Sequence, residues 1–340
     1  MAAERHGSML PEAAFDRIRS VRAGEPTAVA DAFAGRTRRP LLRGDGRLFI
    51  VAADHPARGA LGAGGDPMAM ADRYDLLSRL ALALSRPGVD GVLGTPDVID
   101  DLATLGLLDD KVVVGSLNRG GLHGSVFEMD DRFTAYDIEG IVRDRLDVAK
   151  TLLRINRADS ATVGTLEATA RAVSAAAAAR VPIMLEPFLS EWRDGAVVNE
   201  LSTEAVITAV AIASGVGSSS AYTWLKVPVV AEMERVLAAT TLPTLLLGGD
   251  PQRAPDETYG RWQRALALPG VRGLVVGRTL LYPPDGNVAA AVDIAAGLVH
   301  DPVAGSPSGA EPSPRTEPPS DAVSPSRIES PSRIESKDLS

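Results

Sequence analysis

A (β/α)8 barrel is the fold class this sequence predicts, on three observations. Eight short apolar runs, rich in β-branched residues, can be counted along about 230 residues. Longer Ala/Leu/Arg-rich stretches with helical character separate them, so the strands are expected to be parallel and covered on their faces. The glycines after the first run, in DHPARGALGAGGDP, are spread through a long loop and do not form the GxGxxG turn of a dinucleotide-binding open sheet. That doubly wound sheet is the structural alternative.

Taken in order, an extra helix from about Pro11 to Ala34 precedes the first strand. The runs are LFIVAAD from Leu48, GVDGVLGT from Gly88, KVVVGSL from Lys111, KTLLRI from Lys150, VPIMLEP from Val181, TWLKVPV from Thr223, PTLLLGG from Pro243 and GLVVGR from Gly273. Helix candidates between them include PMAMADRYDLLSRLALALSR, TLEATARAVSAAAAAR, STEAVITAVAIASG and DETYGRWQRALAL; several open on a Ser, Thr or Asp able to cap an N-terminus. From Ala304 onward Ser, Pro and Glu dominate, and SPSRIE occurs at Ser324 and again at Ser330. Such a segment cannot bury enough surface to fold. The expected organisation is a barrel with its N-terminal helix over residues 1–303 and a disordered tail over 304–340.

Composition narrows the function classes. The chain of 340 residues has a formal net charge of −9, with 45% hydrophobic and 23% charged residues, which suits a large apolar core and argues against general nucleic-acid binding. With no cysteine there is no disulfide framework, thiolate nucleophile or cysteine-ligated metal centre, and a cytoplasmic location is expected. No segment resembles a signal peptide, and no window reaches the ~18 apolar residues of a membrane span. The four histidines, His6, His55, His123 and His300, lack zinc-ligand spacing. An oxygen-ligated magnesium site built on Asp54 and Glu186 stays open at this stage.

Of 35 basic residues only four are lysine: Lys111, Lys150, Lys226 and Lys337. Where arginine is so strongly preferred, each lysine invites the question of what arginine could not do. Barrel chemistry sits at the C-terminal ends of the strands. Polar residues expected there are Asp54 and His55, Thr95, Asn118 and Arg119, Lys150 with Arg154, Glu186, Lys226, Gly248 to Asp250, and Gly277 with Arg278. In TWLKVPVV, period-two alternation sets Trp224, Lys226 and Pro228 against Leu225, Val227 and Val229, so Lys226 points into the barrel if the aliphatic set meets the helices. A buried lysine near another cation loses its proton readily and becomes a nucleophile toward a carbonyl, which a guanidinium cannot do. A structural ion pair between Lys226 and Glu186 is an equal alternative. Lys150 either ends the helix before the fourth strand, the favoured reading, or shares an inward face with Arg154. Glu186 stands before Pro187, expected to stop the fifth strand, as an acid/base or a charge meeting solvent. Asp54 either orients a substrate hydroxyl or caps its loop. Gly248 and Gly249, with Gly277 and Arg278, lie where barrels bind phosphate.

Over residues 45 to 300 this constellation resembles the class I aldolases of the tagatose-bisphosphate, deoxyribose-phosphate and bacterial/archaeal fructose-bisphosphate group, and more specifically an uncharacterised actinobacterial aldolase-like set. The residues that carry the resemblance are Asp54 in AADHP, Lys150 in VAKTLLRI, Glu186 in IMLEP and Lys226 in WLKVP, with the glycine pair and the Gly-Arg pair after the last two strands. The resemblance implies a metal-independent lyase without cofactor, in which Lys226 forms an imine, Glu186 acts as acid/base, and Asp54 and Lys150 position the substrate. It implies a sugar-phosphate substrate bound by Gly248, Gly249, Gly277 and Arg278; strand three departs from the group's pattern in NRGGLHGS, where Asn118 and Arg119 are expected to set specificity, and Arg154 is expected to add positive charge to the substrate-binding set. One such substrate is 2-deoxy-5-keto-gluconate 6-phosphate of inositol catabolism, giving dihydroxyacetone phosphate and malonate semialdehyde. An aldolase for an unphosphorylated keto acid or sulfo-sugar, and a non-catalytic sugar-phosphate-binding regulator, are the rival readings. A homo-oligomer is compatible with all three, and no nucleic-acid or membrane partner is expected.

Overall fold

The structure, a computed structural model, describes residues 10–118, 121–248 and 255–301. The tail and the expected site residues Arg119 and Gly249 lie outside them. Nine strands are present among the described residues: β1 (Leu48–Ala52), β2 (Gly91–Gly94), β3 (Val112–Ser116), β4 (Val148–Ile155), β5 (Ile183–Arg193), β6 (Ala196–Asn199), β7 (Thr223–Val227), β8 (Thr244–Leu247) and β9 (Val271–Val276). Eight of them, all but β6, pair in parallel in the closed order β1-β2-β3-β4-β5-β7-β8-β9-β1, so the barrel expectation holds.

Two helices, α1 (Glu12–Gly24) and α2 (Thr27–Gly35), occupy the stretch expected as one; the break falls at Pro26, which cannot donate to a preceding turn. Around the barrel follow α3 (Arg73–Ser85), α4 (Pro96–Thr104), α5 (Ile138–Arg143), α6 (Ala161–Ala179), α7 (Thr203–Ser214), α8 (Met233–Ala238), α9 (Pro255–Leu266), α10 (Arg278–Leu281) and α11 (Val288–His300). The Asp72 carboxylate accepts from the Tyr74 and Asp75 amides, and the Ser202 hydroxyl from that of Ala205, as N-terminal caps should.

Period-two alternation sorts the strand residues into two apolar clusters. Phe49, Val51, Val113, Ala149, Leu185, Leu225 and Val227 face outward and pack with the helices. Leu48, Ile50, Ala52, Leu93, Val112, Val114, Val148, Met184, Leu245 and Val275 fill the interior, with Leu41 and Leu42 of the N-terminal segment against them. Close approach of neighbouring strands demands glycine here: a Cβ on Gly91 would stand 1.9 Å from the Val112 carbonyl oxygen.

β4 and β5 correct two expectations. The helix before β4 ends at Arg143, and Arg145 at φ 55 reverses the chain. β4 therefore begins at Val148, placing Lys150 inside the strand and not at a helix end. Pro187 does not stop β5, which runs on to Arg193. Beyond Leu185 the strand is no longer paired to β7, and a strand open on one side tolerates a proline. Its extension folds back through Asp194 and Gly195, both at positive φ, to pair antiparallel with β6.

Candidate active site

Two residues along from the apolar layer of Val114, Val148, Met184 and Trp224, the interior turns polar. Ser116 of β3, Lys150 of β4, Glu186 of β5 and Lys226 of β7 occupy this next layer, joined by Asp54 from the loop after β1. The switch follows from the strand period, since residues i and i+2 share a face.

These side chains form one ion-pair network. Lys150 Nζ lies 2.6 Å from Glu186 Oε2 and 3.1 Å from Asp54 Oδ2, while Lys226 Nζ lies 2.8 Å from Glu186 Oε1. The Ser116 hydroxyl donates to Asp54 Oδ2 at 3.2 Å. Lys150 is 2% exposed and Lys226 4%. Glu186 is also buried, which corrects the alternative that it meets solvent at a strand exit. A network of two ammoniums and two carboxylates can enter a barrel because its charges cancel within it.

Electrostatics separates the roles. Burial alone would raise the Glu186 carboxyl, but the ammoniums of Lys150 and then Lys226 outweigh it and hold Glu186 at about 2. Lys226 is held below the ordinary lysine value, first by burial and then by the charge of Lys150, against the opposing pull of Glu186. His55 is pushed down to about 3 by burial, with Arg278, Arg58 and Lys226 acting in the same sense and Asp54 against it. Its imidazole is therefore neutral around pH 7.

Above the network opens a cavity of ≈ 1370 Å³, lined at its base by Asp54, His55, Lys150, Glu186 and Lys226. Gly248, Gly277 and Arg278 line it as well. Arg278 makes one long contact, Nη1 to the Gly62 carbonyl at 3.5 Å. Gly277 has no room for a side chain, because a Cβ there would stand 2.2 Å from the Ala52 carbonyl oxygen.

Two expected binding residues are engaged with the protein itself. Arg154 lines the cavity but is 3% exposed, and its Nε and Nη2 donate to Asp131 at 2.9 and 2.7 Å. It also pairs with Glu128 at 3.3 Å, so it ties the segment after β3 to β4. The Asn118 amide donates to the Asp131 and Leu152 carbonyls and accepts from the Leu152 amide at 2.8 Å, and Asn118 does not line the cavity. Other lining residues escaped the reading by strand ends: Arg58, Glu128, Arg261, and Val197 to Asn199 of β6. The Asp194-Gly195 pair, a hairpin signal, would have found the last group. Among the described residues no group of three or more His, Asp or Glu could hold a metal ion, and no helix is long and apolar enough to cross a membrane. The carboxylates weighed for magnesium, Asp54 and Glu186, both face the Lys150 ammonium.

The family model described as Cgl0159-like matches residues 46–296, the whole barrel. The chain belongs to the Cgl0159-like family. The crystal structure of Cgl0159 from Corynebacterium glutamicum (Brevibacterium flavum) is 64% identical, with a TM-score of 0.85, over 87% of this chain and 99% of that one. An archaeal fructose 1,6-bisphosphate aldolase superposes with a TM-score of 0.57 at 19% identity, over 80% of this chain and 99% of that one. A fructose-bisphosphate aldolase from Slackia heliotrinireducens gives 0.51 at 13% identity, over 87% and 93%. No curated protein sequence matches the chain. The Cgl0159-like barrel thus shares its fold with these aldolases.

Proposed function

We propose that this Cgl0159-like protein is a class I aldolase in which Lys226 forms an imine with a ketone substrate. The observation that carries the reading is the asymmetry between the two interior lysines. Lys150 is held by two carboxylates, whereas Lys226 faces one carboxylate that it shares with Lys150. Lys226 is also held below the ordinary lysine value, and only the free amine attacks a carbonyl. Further support comes from two more structures of similar fold, each 20% identical with a TM-score of 0.57: a Schiff base-forming fructose-1,6-bisphosphate aldolase, and an archaeal fructose-1,6-bisphosphate aldolase whose catalytic lysine is covalently bound to a carbinolamine intermediate.

The Lys226 amine adds to the ketone carbon, the oxygen takes up a proton, and loss of water leaves an iminium. Cleavage of the C–C bond β to that carbon sends its electron pair into the iminium as an enamine. Protonation and hydrolysis then return the amine. Glu186, ionised and 2.8 Å from Nζ, accepts the ammonium proton and returns it to the departing hydroxyl. Once Lys226 is neutral Glu186 loses one counter-charge, which raises its affinity for that proton. Lys150 keeps Glu186 and Asp54 from repelling each other and can polarise a substrate hydroxyl. Arg278, beside Gly248 and Gly277, suits a phosphate, which favours a phosphorylated keto-sugar or deoxyketo-sugar acid yielding dihydroxyacetone phosphate. 2-Deoxy-5-keto-gluconate 6-phosphate is the substrate to assay first.

The test is borohydride reduction in the presence of dihydroxyacetone phosphate, followed by peptide mass spectrometry. The expected result is one adduct, on Lys226, abolished by Lys226→Met. An adduct on Lys150, or none with any ketone phosphate, would overturn the reading.

A further inference from the structure

Imine formation accounts for Lys226 and Glu186 but leaves one requirement of C–C cleavage unassigned. The hydroxyl on the carbon that becomes the aldehyde must lose its proton as the bond breaks. Glu186 is an inefficient acceptor for it, because its two oxygens are committed to Lys226 and Lys150. Asp54 Oδ2 is likewise engaged, by Lys150 and Ser116.

His55, singled out by the strand-end pattern and given no role so far, is a group of the right kind that lines the cavity beside Asp54. Its ring follows directly on Asp54, and about a fifth of the side chain remains accessible in the cavity it lines. Nδ1 is buried, without a hydrogen-bond partner among the described residues, 3.7 Å from Asp54 Oδ1. A carboxylate on that side favours the tautomer with the proton on Nδ1, which leaves the lone pair on Nε2. We propose that His55 is a catalytic residue of the aldol step, with Nε2 accepting the proton of the substrate hydroxyl at the scissile bond.

The inference rests on the aldolase reading. The O–H electrons become the second bond of the aldehyde C=O, the C–C pair passes to the Lys226 iminium, and the proton resides on Nε2. In condensation the same proton returns to the new alkoxide. The resulting imidazolium is opposed by the cations of Arg278 and Arg58, and a substrate phosphate on Arg278 removes part of that opposition. The base is therefore strongest when a phosphorylated substrate is in place.

The experiment compares His55→Gln with wild type in two reactions: borohydride trapping of dihydroxyacetone phosphate, and its condensation with malonate semialdehyde. Trapping needs no proton from the hydroxyl, whereas condensation does. The expected outcome is trapping within about 3-fold of wild type and condensation slowed roughly 10²–10⁴-fold, the range for loss of a general acid or base. His55→Asn, which cannot place a polar atom at the Nε2 position without shifting, should lose at least as much, and it decides the matter if the Gln variant does not fold. Condensation within 3-fold of wild type, or equal loss of trapping and condensation in a variant that melts like wild type, overturns the assignment to His55. Failure of wild type to trap any adduct removes the aldolase reading and this one with it, and is distinguishable because no His55 variant is involved.

Discussion

Lys150→Met tests the electrostatic design of the site, because it removes one buried cation and leaves its two carboxylates in place. At the observed 2.6 Å to Glu186 and 3.1 Å to Asp54, an effective dielectric of ~20 gives attractions of roughly 6 and 5 kcal/mol. Desolvation of three charges offsets most of this, so the net cost of breaking such a buried arrangement is about 3–5 kcal/mol. The state of Glu186 agrees in scale: the fall from 4.5 to about 2 corresponds to roughly 3 kcal/mol at ~1.4 kcal/mol per pH unit. Without Lys150 that carboxyl rises and takes up a proton in mild acid. The destabilisation should therefore be largest near pH 8 and shrink toward pH 5, where protonation relieves the repulsion with Asp54. Guanidinium unfolding of both proteins at the two pH values measures it. A loss below about 1 kcal/mol at pH 8, or one independent of pH, would refute the view that Lys150 holds the two carboxylates together.

In the wild type, Glu186 has a depressed folded-state value, so its contribution to stability is complete above about pH 4.5 and is lost as pH falls toward 2; Glu186→Gln should flatten the acid limb of the stability curve. His300 has the opposite sign: hydrogen bonding to Asp90, and then to Asp45 against the effect of burial, raises it to about 9. Its contribution is present below about pH 6.5 and lost as pH rises through 9, and His300→Asn should abolish that alkaline loss in denaturant titrations. Gly277→Ala drives a methyl against the Ala52 carbonyl and should cost about 1–3 kcal/mol, seen as a Tm lower by roughly 2–12 °C. Arg154→Met strands Asp131 and Glu128 and should cost about 3–5 kcal/mol, with faster amide exchange in residues 121–136. Arg278→Ala should raise KM for a phosphorylated ketose about 10–100-fold while leaving an unphosphorylated ketone nearly unaffected, since the loss is of hydrogen bonds to a charged group.

What could be read from local chemistry was the set of elements and their faces. Seven outward strand residues and their inward neighbours obey period two, and this placed Lys226 inside the barrel from TWLKVPVV alone. Boundaries were less legible where backbone conformation depends on distant partners. The end of a helix is the favoured sequence reading of Lys150 because nothing in DVAK marks the turn that Arg145 makes at positive φ. Pro187 read as a stop because the loss of pairing on one side of β5 is a property of where β7 ends. Arg154 and Asn118 were at the expected strand ends, yet their polar groups are engaged by Asp131, Glu128 and the β4 backbone.

Composition and periodicity by themselves therefore determined the fold class, the inward face of each strand and the short list of lysines, because these depend on burial of apolar surface and on the two-residue repeat of a strand. Tertiary structure alone decided which charges meet. Lys150, Glu186 and Lys226 come from three strands spread over 77 positions of the chain; pairing of β4 with β5 and of β5 with β7 sets their separations within 3 Å, and closure of the barrel brings Asp54 across to Lys150. Coulombic coupling and desolvation depend on those distances and that burial, so the lowered values of Glu186 and Lys226 arise only in the folded barrel.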